Sequence, residues 1–241
     1  MNIQGKIALV TGANRGIGKA VVEGFIAQGA AKVYLAVRNR STVAELLERY
    51  GDKLVALDLD LTKPASIDAL ARSASDVDIV VNNAGLLKQG DLFADDIEQS
   101  FREELEVNTF GLLRMAKAFE PILLAKKEAA FVQLNSVGSI ANFDGLSSYC
   151  ASKAACYTFT QALRTRWKES AIRVVSILPG PIATDMARQV DMYDDGASPM
   201  EVADAIVNAI KDGEFHVYPD AVAKSFGEAY SGYAQSIVEA A

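Results

Sequence analysis

Two residues four positions apart, Tyr149 and Lys153, fall in a stretch with helical spacing from Ser148 to Glu169, so they share one helix face with side chains in reach of each other. An ammonium beside a phenol favours phenolate and lowers the tyrosine pKa from its usual value of about 10, toward what a general acid or base needs near neutrality. A surface tyrosine beside a solvated lysine would have the same spacing. Ser136 separates the two readings, because it follows an apolar strand, Ala130 to Asn135, and lies on the side of a sheet where ligands bind.

A second constellation precedes it in the chain. Thr11-Gly12-Ala13-Asn14-Arg15-Gly16-Ile17-Gly18 joins a β-branched, apolar run, Lys6 to Thr11, to a helical stretch, Ile17 to Ala30. Glycines there let the backbone approach a pyrophosphate, while the helix start supplies N–H donors and positive potential. An ordinary tight connection could use the same glycines, but the strand-turn-helix context favours the phosphate reading. In a dinucleotide fold an acidic residue about 20 positions further on takes the ribose 2′-hydroxyl. Here the strand ends Ala36-Val37-Arg38-Asn39-Arg40, with no carboxylate. Arg38, helped by Arg15, could hold a 2′-phosphate bidentately, which favours NADP(H) over NAD, although both arginines could instead be solvated surface charges.

These residues need elements to place them. The spacing predicts strands at Lys32 to Val37, Lys53 to Asp58, Val77 to Val81, Ile172 to Leu178 and Phe215 to Tyr218, beside the two already named. Between them it predicts helices at Ser41 to Tyr50, Ala65 to Ser73, Met200 to Lys211 and, as one long helix, Ile97 to Lys126. Strands that are nearly continuous apolar runs, alternating with helices, imply a parallel sheet covered on both faces. No linker or repeat interrupts the alternation. The expected fold is α/β: a single domain over residues 1–241, a doubly wound parallel sheet (Rossmann fold) of about seven strands with helices on both faces.

Composition narrows the function classes. The 241 residues carry 24 Lys plus Arg against 31 Asp plus Glu, a formal net charge of −7, which disfavours a nucleic-acid binder. Half the residues are hydrophobic, enough for a sizeable core. No apolar run is long enough to span a bilayer and the start lacks the build of a signal peptide, so the expectation is a soluble, cytoplasmic protein without a membrane partner. Cys150 and Cys156 lie six apart in one expected helix, about 9 Å between Cα atoms, too far to bridge. Two cysteines and one histidine argue against a metal site, and His216, in a late apolar run, reads as structural.

At this point the chain resembles the short-chain dehydrogenase/reductase family, in its compact form, from Lys6 to Pro219. The resemblance rests on the TGxxxGxG turn at Thr11 to Gly18, Asp60, Asn82-Asn83-Ala84-Gly85, Asn108, Ser136 before Tyr149-x-x-x-Lys153, and Pro179-Gly180-Pro181-Ile182-x-Thr184. Each is weak alone, and in this order they are specific. The resemblance implies a relay in which Ser136 bonds the substrate oxygen and Tyr149 transfers the proton. Lys153 would bind the nicotinamide ribose, and Asn108 would hold a water linking Lys153 to solvent. It further implies cofactor contacts from Gly12, Asn14, Arg15, Gly16, Ile17 and Gly18 at the pyrophosphate, and from Asp60 with Leu61 at the adenine. Asn83, Ala84 and Gly85 would pack under the cofactor, and Pro179, Gly180, Ile182 and Thr184 would cup the carboxamide. For Asn82 to Gly85 a purely structural role, and for Asn108 a satisfied polar break in a helix, stay open.

The expected activity is NADP(H)-dependent reduction of a ketone or aldehyde to an alcohol, or the reverse, as in a carbonyl reductase. The alternative is a non-catalytic NADP-binding regulatory or interaction protein, which would need the glycine turn but not the relay. A sugar-nucleotide epimerase or dehydratase would usually need a larger C-terminal region. Residues 183–199 read as a mobile substrate lid, or as a surface loop that touches nothing. Met186, Val190, Met192 and Tyr193, with Leu86, Leu87 and Phe143 as neighbours, suit a largely apolar carbonyl compound. Apolar residues beyond one stripe of the helix from Ile97, among them Phe110 and Leu113, and small residues such as Ala151, Ala155, Thr158 and Ala162, predict a homodimer or homotetramer.

Overall fold

In a computed structural model describing residues 1–233, 235 and 238, strands β1 Ile7–Thr11, β2 Lys32–Val37, β3 Leu54–Asp58, β4 Ile79–Asn82, β5 Ala129–Leu134, β6 Ile172–Ile177 and β7 His216–Val217 form one parallel sheet. Their order across it is β3-β2-β1-β4-β5-β6-β7, with Ala8 registered on Val33 to one side and on Ile79 to the other. The helices are α1 Gly16–Ala27, α2 Ala44–Tyr50, α3 Pro64–Ser73, α4 Ile97–Glu104, α5 Gly111–Leu124, α6 Ser147–Arg166, α7 Asp185–Arg188, α8 Pro199–Asp212 and α9 Ala221–Tyr233. This is the expected doubly wound α/β domain. Among the described residues no helix is long and apolar enough to cross a membrane.

Alternation along each strand sorts one apolar run into two layers. Ala8 and Val10 of β1 join Val21 and Phe25 of α1 and Val202 and Ile206 of α8, whereas Leu9 between them joins Met115 and Phe119 of α5 on the opposite face. Fully buried rings such as Phe25, Phe119 and Phe131 each contribute on the order of 2 kcal/mol, which offsets polar groups the fold must bury at its strand ends.

Two elements differ from the sequence expectation in kind. The helix expected from Ile97 to Lys126 is interrupted by a π-helical segment, Leu105–Phe110, and ends at Leu124. The widened turn places Asn108 inward, where Leu86 and Ser152 satisfy its amide. Helix α9 was not expected at all. Buried Asp220 caps it by accepting the Ala223 N–H at 2.9 Å, and Gly227 lies so close to Tyr218 that a Cβ there would stand 2.5 Å from the ring. A mid-helix glycine weakens the periodic signal, and only the tertiary contact explains it. His216 sits in β7 hydrogen-bonded to the Tyr157 hydroxyl, as a structural residue would.

Candidate active site

The strand order reverses between β1 and β4, and a crevice opens where their carboxyl ends part. Its floor is Thr11, whose hydroxyl accepts the Asn83 and Ala84 N–H groups, both at 2.9 Å, while Asn83 Nδ2 donates to the Thr11 carbonyl at 2.8 Å. Over it lies the glycine turn. A Cβ on Gly18 would fall 2.1 Å from the Gly12 carbonyl oxygen, and Gly12 has φ +65°, so neither position tolerates a side chain without moving backbone. Helix α1 starts with extended Arg15 at its N-cap and no side-chain cap, which leaves its first-turn N–H groups to meet an anion.

From this turn a cleft of about 530 Å³ runs in two directions. Toward β2 it is lined by Ala36, Val37, Arg38, Thr42, Asp60 and Leu61. Arg40 is committed to a bidentate pair with Asp58 at 2.9 and 2.7 Å, whereas Arg38 is exposed and makes no ion pair among the described residues. Arg15 pairs with Asp185 at 3.0 Å, but both side chains are more than half exposed, so the pair is weak and free to rearrange. Asp60 accepts both the N–H and the hydroxyl of Thr62, and these bonds, with Lys63, hold its carboxyl below the usual range. An uncapped helix start, a turn kept open by Gly12, Gly16 and Gly18, and an unpaired guanidinium are a donor set that fits the phosphates of a dinucleotide.

The other arm is lined by Ser136, Tyr149 and Lys153. Ser136 caps a short 3₁₀ turn, Val137–Ser139, its Oγ accepting the Gly138 N–H at 3.0 Å. Lys153 is buried on α6, one turn beyond Tyr149, and its Nζ donates to the Leu134 carbonyl at 2.7 Å and lies 5.7 Å from the centre of the Tyr149 ring. Here the electrostatics correct the sequence reading. Desolvation pushes the Tyr149 hydroxyl above the usual tyrosine range, against the pull of the Ser136 hydroxyl, and burial pushes Lys153 down. Desolvation is the largest influence on the phenol, and Tyr149 holds its proton at neutral pH.

Two of the expected residues stand behind the cleft wall. Gly18 packs on Gly12, and Asn108 bonds Leu86 on both its N–H, at 2.8 Å, and its carbonyl, at 2.9 Å, and donates to Ser152 Oγ at 3.0 Å. Gly85 lets this layer approach the site, since a Cβ there would lie 3.2 Å from Asn108 Oδ1 and 3.7 Å from Lys153 Nζ. The remaining expected residues line the cleft: Asn14, Gly16 and Ile17 at the turn, Asn83 and Ala84 on its floor, and Pro179, Gly180, Ile182 and Thr184 after β6.

The sequence reading did not single out Leu146, Cys150, Asp220 or Val222. Leu146, Cys150 and Val190 form an apolar cluster with Leu87, Phe143, Tyr149 and Met192, so the 183–199 segment does touch the site. Asp220 Oδ2 accepts the Gly180 N–H at 2.8 Å, which ties the turn after β6 to α9 and brings Val222 to the cleft. The available signal was an aspartate directly before a run of helix formers.

A sequence profile of the short chain dehydrogenase family matches residues 6–194. The chain belongs to the short-chain dehydrogenase/reductase family. Among curated members it is 32% identical over 195 residues to FabG of Vibrio cholerae, a 3-oxoacyl-[acyl-carrier-protein] reductase, covering 79% of each chain. It is also 32% identical to a fatty acyl-CoA reductase of Acinetobacter baylyi, over 87% of this chain and 74% of that one. A short chain dehydrogenase from Burkholderia cenocepacia J2315, solved in complex with NADP, superposes with a TM-score of 0.89 at 33% identity, covering 98% of this chain and 97% of that one. Like other short-chain dehydrogenases/reductases, this chain is an oxidoreductase that uses a nicotinamide dinucleotide.

The buried lysine of this family member generates a stability prediction. Folding lowers the Lys153 pKa, so the unfolded chain binds more protons and stability rises with pH between that lowered value and about 10.4, the ordinary lysine value. Lys153→Met removes the charge and keeps the aliphatic stem, and the Leu134 carbonyl still accepts from Gln133 Nε2 at 3.0 Å. The cofactor-free variant is expected to melt near pH 7 no lower than the parent and with a flatter pH dependence, read by scanning calorimetry. A Tm lower by several degrees would make the ammonium a net stabiliser instead.

Proposed function

We propose that this protein reduces a small, largely apolar ketone or aldehyde to the alcohol with NADPH, or catalyses the reverse oxidation. The supporting observation is that Ser136, Tyr149 and Lys153 converge at the apolar end of a cleft whose other end is the glycine turn and Arg38. Bound nicotinamide would supply the hydride, leaving position, electrostatics and the proton to the chain. Ser136 bonds the substrate oxygen and Tyr149 gives or takes the proton. Lys153 holds the nicotinamide ribose and biases Tyr149, and Asn108 holds a water that connects Lys153 to solvent. A tyrosine that holds its proton at neutral pH can donate it to the substrate oxygen, as reduction requires.

At the far end Gly12, Asn14, Arg15, Gly16, Ile17 and Gly18 take the pyrophosphate, and Asp60 with Leu61 takes the adenine. Asn83, Ala84 and Gly85 lie beneath the cofactor, and Pro179, Gly180, Ile182 and Thr184 cup the carboxamide. The missing carboxylate after β2, and the commitment of Arg40 to Asp58, leave Arg38 as the cation for a 2′-phosphate. Residues 183–199 act as a lid: Thr184 caps α7, Ile182 and Ala197 bridge at the base, and Val190 and Met192 cover Tyr149. The half-exposed Phe110 and the exposed Ala151, Thr158 and Ala162 favour a homodimer or homotetramer, and the setting we assign is the cytoplasm.

The direct test is NADPH consumption with a panel of neutral aldehydes, ketones, diketones, quinones and 3-oxoacyl thioesters. With whichever is reduced, Tyr149→Phe should lose about 10²- to 10⁴-fold in rate while NADPH still binds, because only the transferable proton is gone. Turnover near the parent's would remove Tyr149 from the mechanism. Fluorescence titration should show tighter NADPH than NADH binding, and Arg38→Asp should erase or reverse that preference, since a carboxylate repels the 2′-phosphate and accepts from a 2′-hydroxyl. For the lid, amide exchange over 183–199 should slow when NADPH and a substrate analogue bind together, and unchanged exchange alongside measurable binding would rule it out.

A further inference from the structure

Glu104, the last residue of α4, is fully buried. Its Oε1 accepts the Lys88 N–H at 2.8 Å, and its Oε2 is sealed from water without a hydrogen bond in range, with the Ser148 hydroxyl of α6 the group on hand to meet it. Burying a carboxyl is costly, and a leucine would fill the place more stably, so the group calls for a reason.

Its position supplies one. Asn108, four residues on, bonds Leu86 and Ser152, and one turn earlier Glu104 accepts from Lys88 and faces Ser148. Ser148 and Ser152 directly precede Tyr149 and Lys153, and Ser152 Oγ donates back to the Tyr149 carbonyl at 2.8 Å. A polar seam therefore runs between α4 with its π-helical extension and α6, immediately behind the pair that faces the cleft. We infer that Glu104 is a positioning residue for proton transfer: it fixes the backbone after β4 at Lys88 and the first turn of α6 at Ser148, and so sets where Tyr149 stands against Ser136. This rests on the proposed role of Tyr149 as proton donor.

The titratable groups facing Glu104 are Lys88 and Glu103 on one side and Tyr149 and Cys150 on the other. Burial raises the Glu104 carboxyl above the usual glutamate range, and its charge, where present, disfavours loss of the Tyr149 proton.

The experiment compares the full-length parent, Glu104→Leu, Glu104→Gln and Tyr149→Phe in NADPH-dependent reduction of 4-nitrobenzaldehyde and in amide exchange of segment 86–90. Glu104→Leu should lower kcat about 10- to 100-fold, the scale for a displaced catalytic group, with NADPH affinity little changed and exchange at 86–90 faster. Glu104→Gln keeps an oxygen for the Lys88 N–H and should recover most of the rate. A packing role would instead give leucine, which fills the space, the higher rate of the two.

Parent-like kcat in Glu104→Leu, or a Glu104→Gln no faster than Glu104→Leu, overturns the inference. Exchange at 86–90 is read without substrate, so a protein inert toward this aldehyde still reports, and unchanged exchange in Glu104→Leu also overturns it. Should Glu104→Leu fail to fold, Glu104→Ala takes its place in both readings. Turnover surviving in Tyr149→Phe would instead defeat the proposed function.

Discussion

The hydroxyl of Thr11 is where the two halves of the sheet are joined as they diverge. Completely buried, it accepts two backbone N–H groups from the residues after β4, and these would otherwise be orphaned donors at a place where no further strand pairing exists. Because the bond comes from a side chain, the backbone of β1 is released to turn away into the glycine segment. The Thr11 carbonyl and, at 3.4 Å, the Gly12 carbonyl are met by Asn83 Nδ2. One threonine and one asparagine thus let the crevice open without leaving buried polar groups unpaired. The glycine turn, the start of α1 and the floor of the cleft all take their positions from that junction.

The same economy recurs across the carboxyl edge of the sheet, and it sets a tension between stability and chemistry. Asn82 donates to Gln133 at 2.7 Å, Asn135 to Ser176 at 2.9 Å, and Lys153 to the Leu134 carbonyl. Each places polar atoms in the interior, and Asn82 Oδ1 and Asn135 Oδ1 are left without partners among the described residues. An unmet buried acceptor costs about 1–3 kcal/mol, which only the apolar layers beneath can offset. Polar atoms concentrate at the one edge where loops rather than strands continue the chain, and the other end of the sheet is spared.

What the sequence revealed follows from how local each signal is. The strands and the glycine turn were legible because alternation, apolar runs and glycine spacing are written in adjacent residues, and Tyr149 and Lys153 because a helix brings every fourth residue together. The π-helical segment was not legible: it accompanies bonds from Asn108 to Leu86, 22 positions away. Helix α9 was missed for a similar reason, since Gly227 breaks its period and only the Tyr218 ring gives that glycine a purpose. The electrostatic error was of another kind. Spacing showed that Lys153 is near Tyr149, but not that Lys153 is buried and Tyr149 partly so, and desolvation is the largest influence on both.

That desolvation is supplied by parts of the chain distant from the motifs. Phe143 comes from the loop after β5, Val190 and Met192 from the segment after β6, and Leu87 from the segment after β4, and all share one apolar cluster with the Tyr149 ring. Behind them Phe226 of α9 meets Phe143 in a tilted contact with ring centres 5.9 Å apart, while Asp220 fastens the start of α9 to Gly180. The proton affinity of Tyr149 is therefore a property of four converging segments rather than of a four-residue motif. A change that loosened any of them would admit water, lower the phenol toward its ordinary pKa and raise the lysine toward its own, altering the acid–base balance of the site with every motif residue still in place.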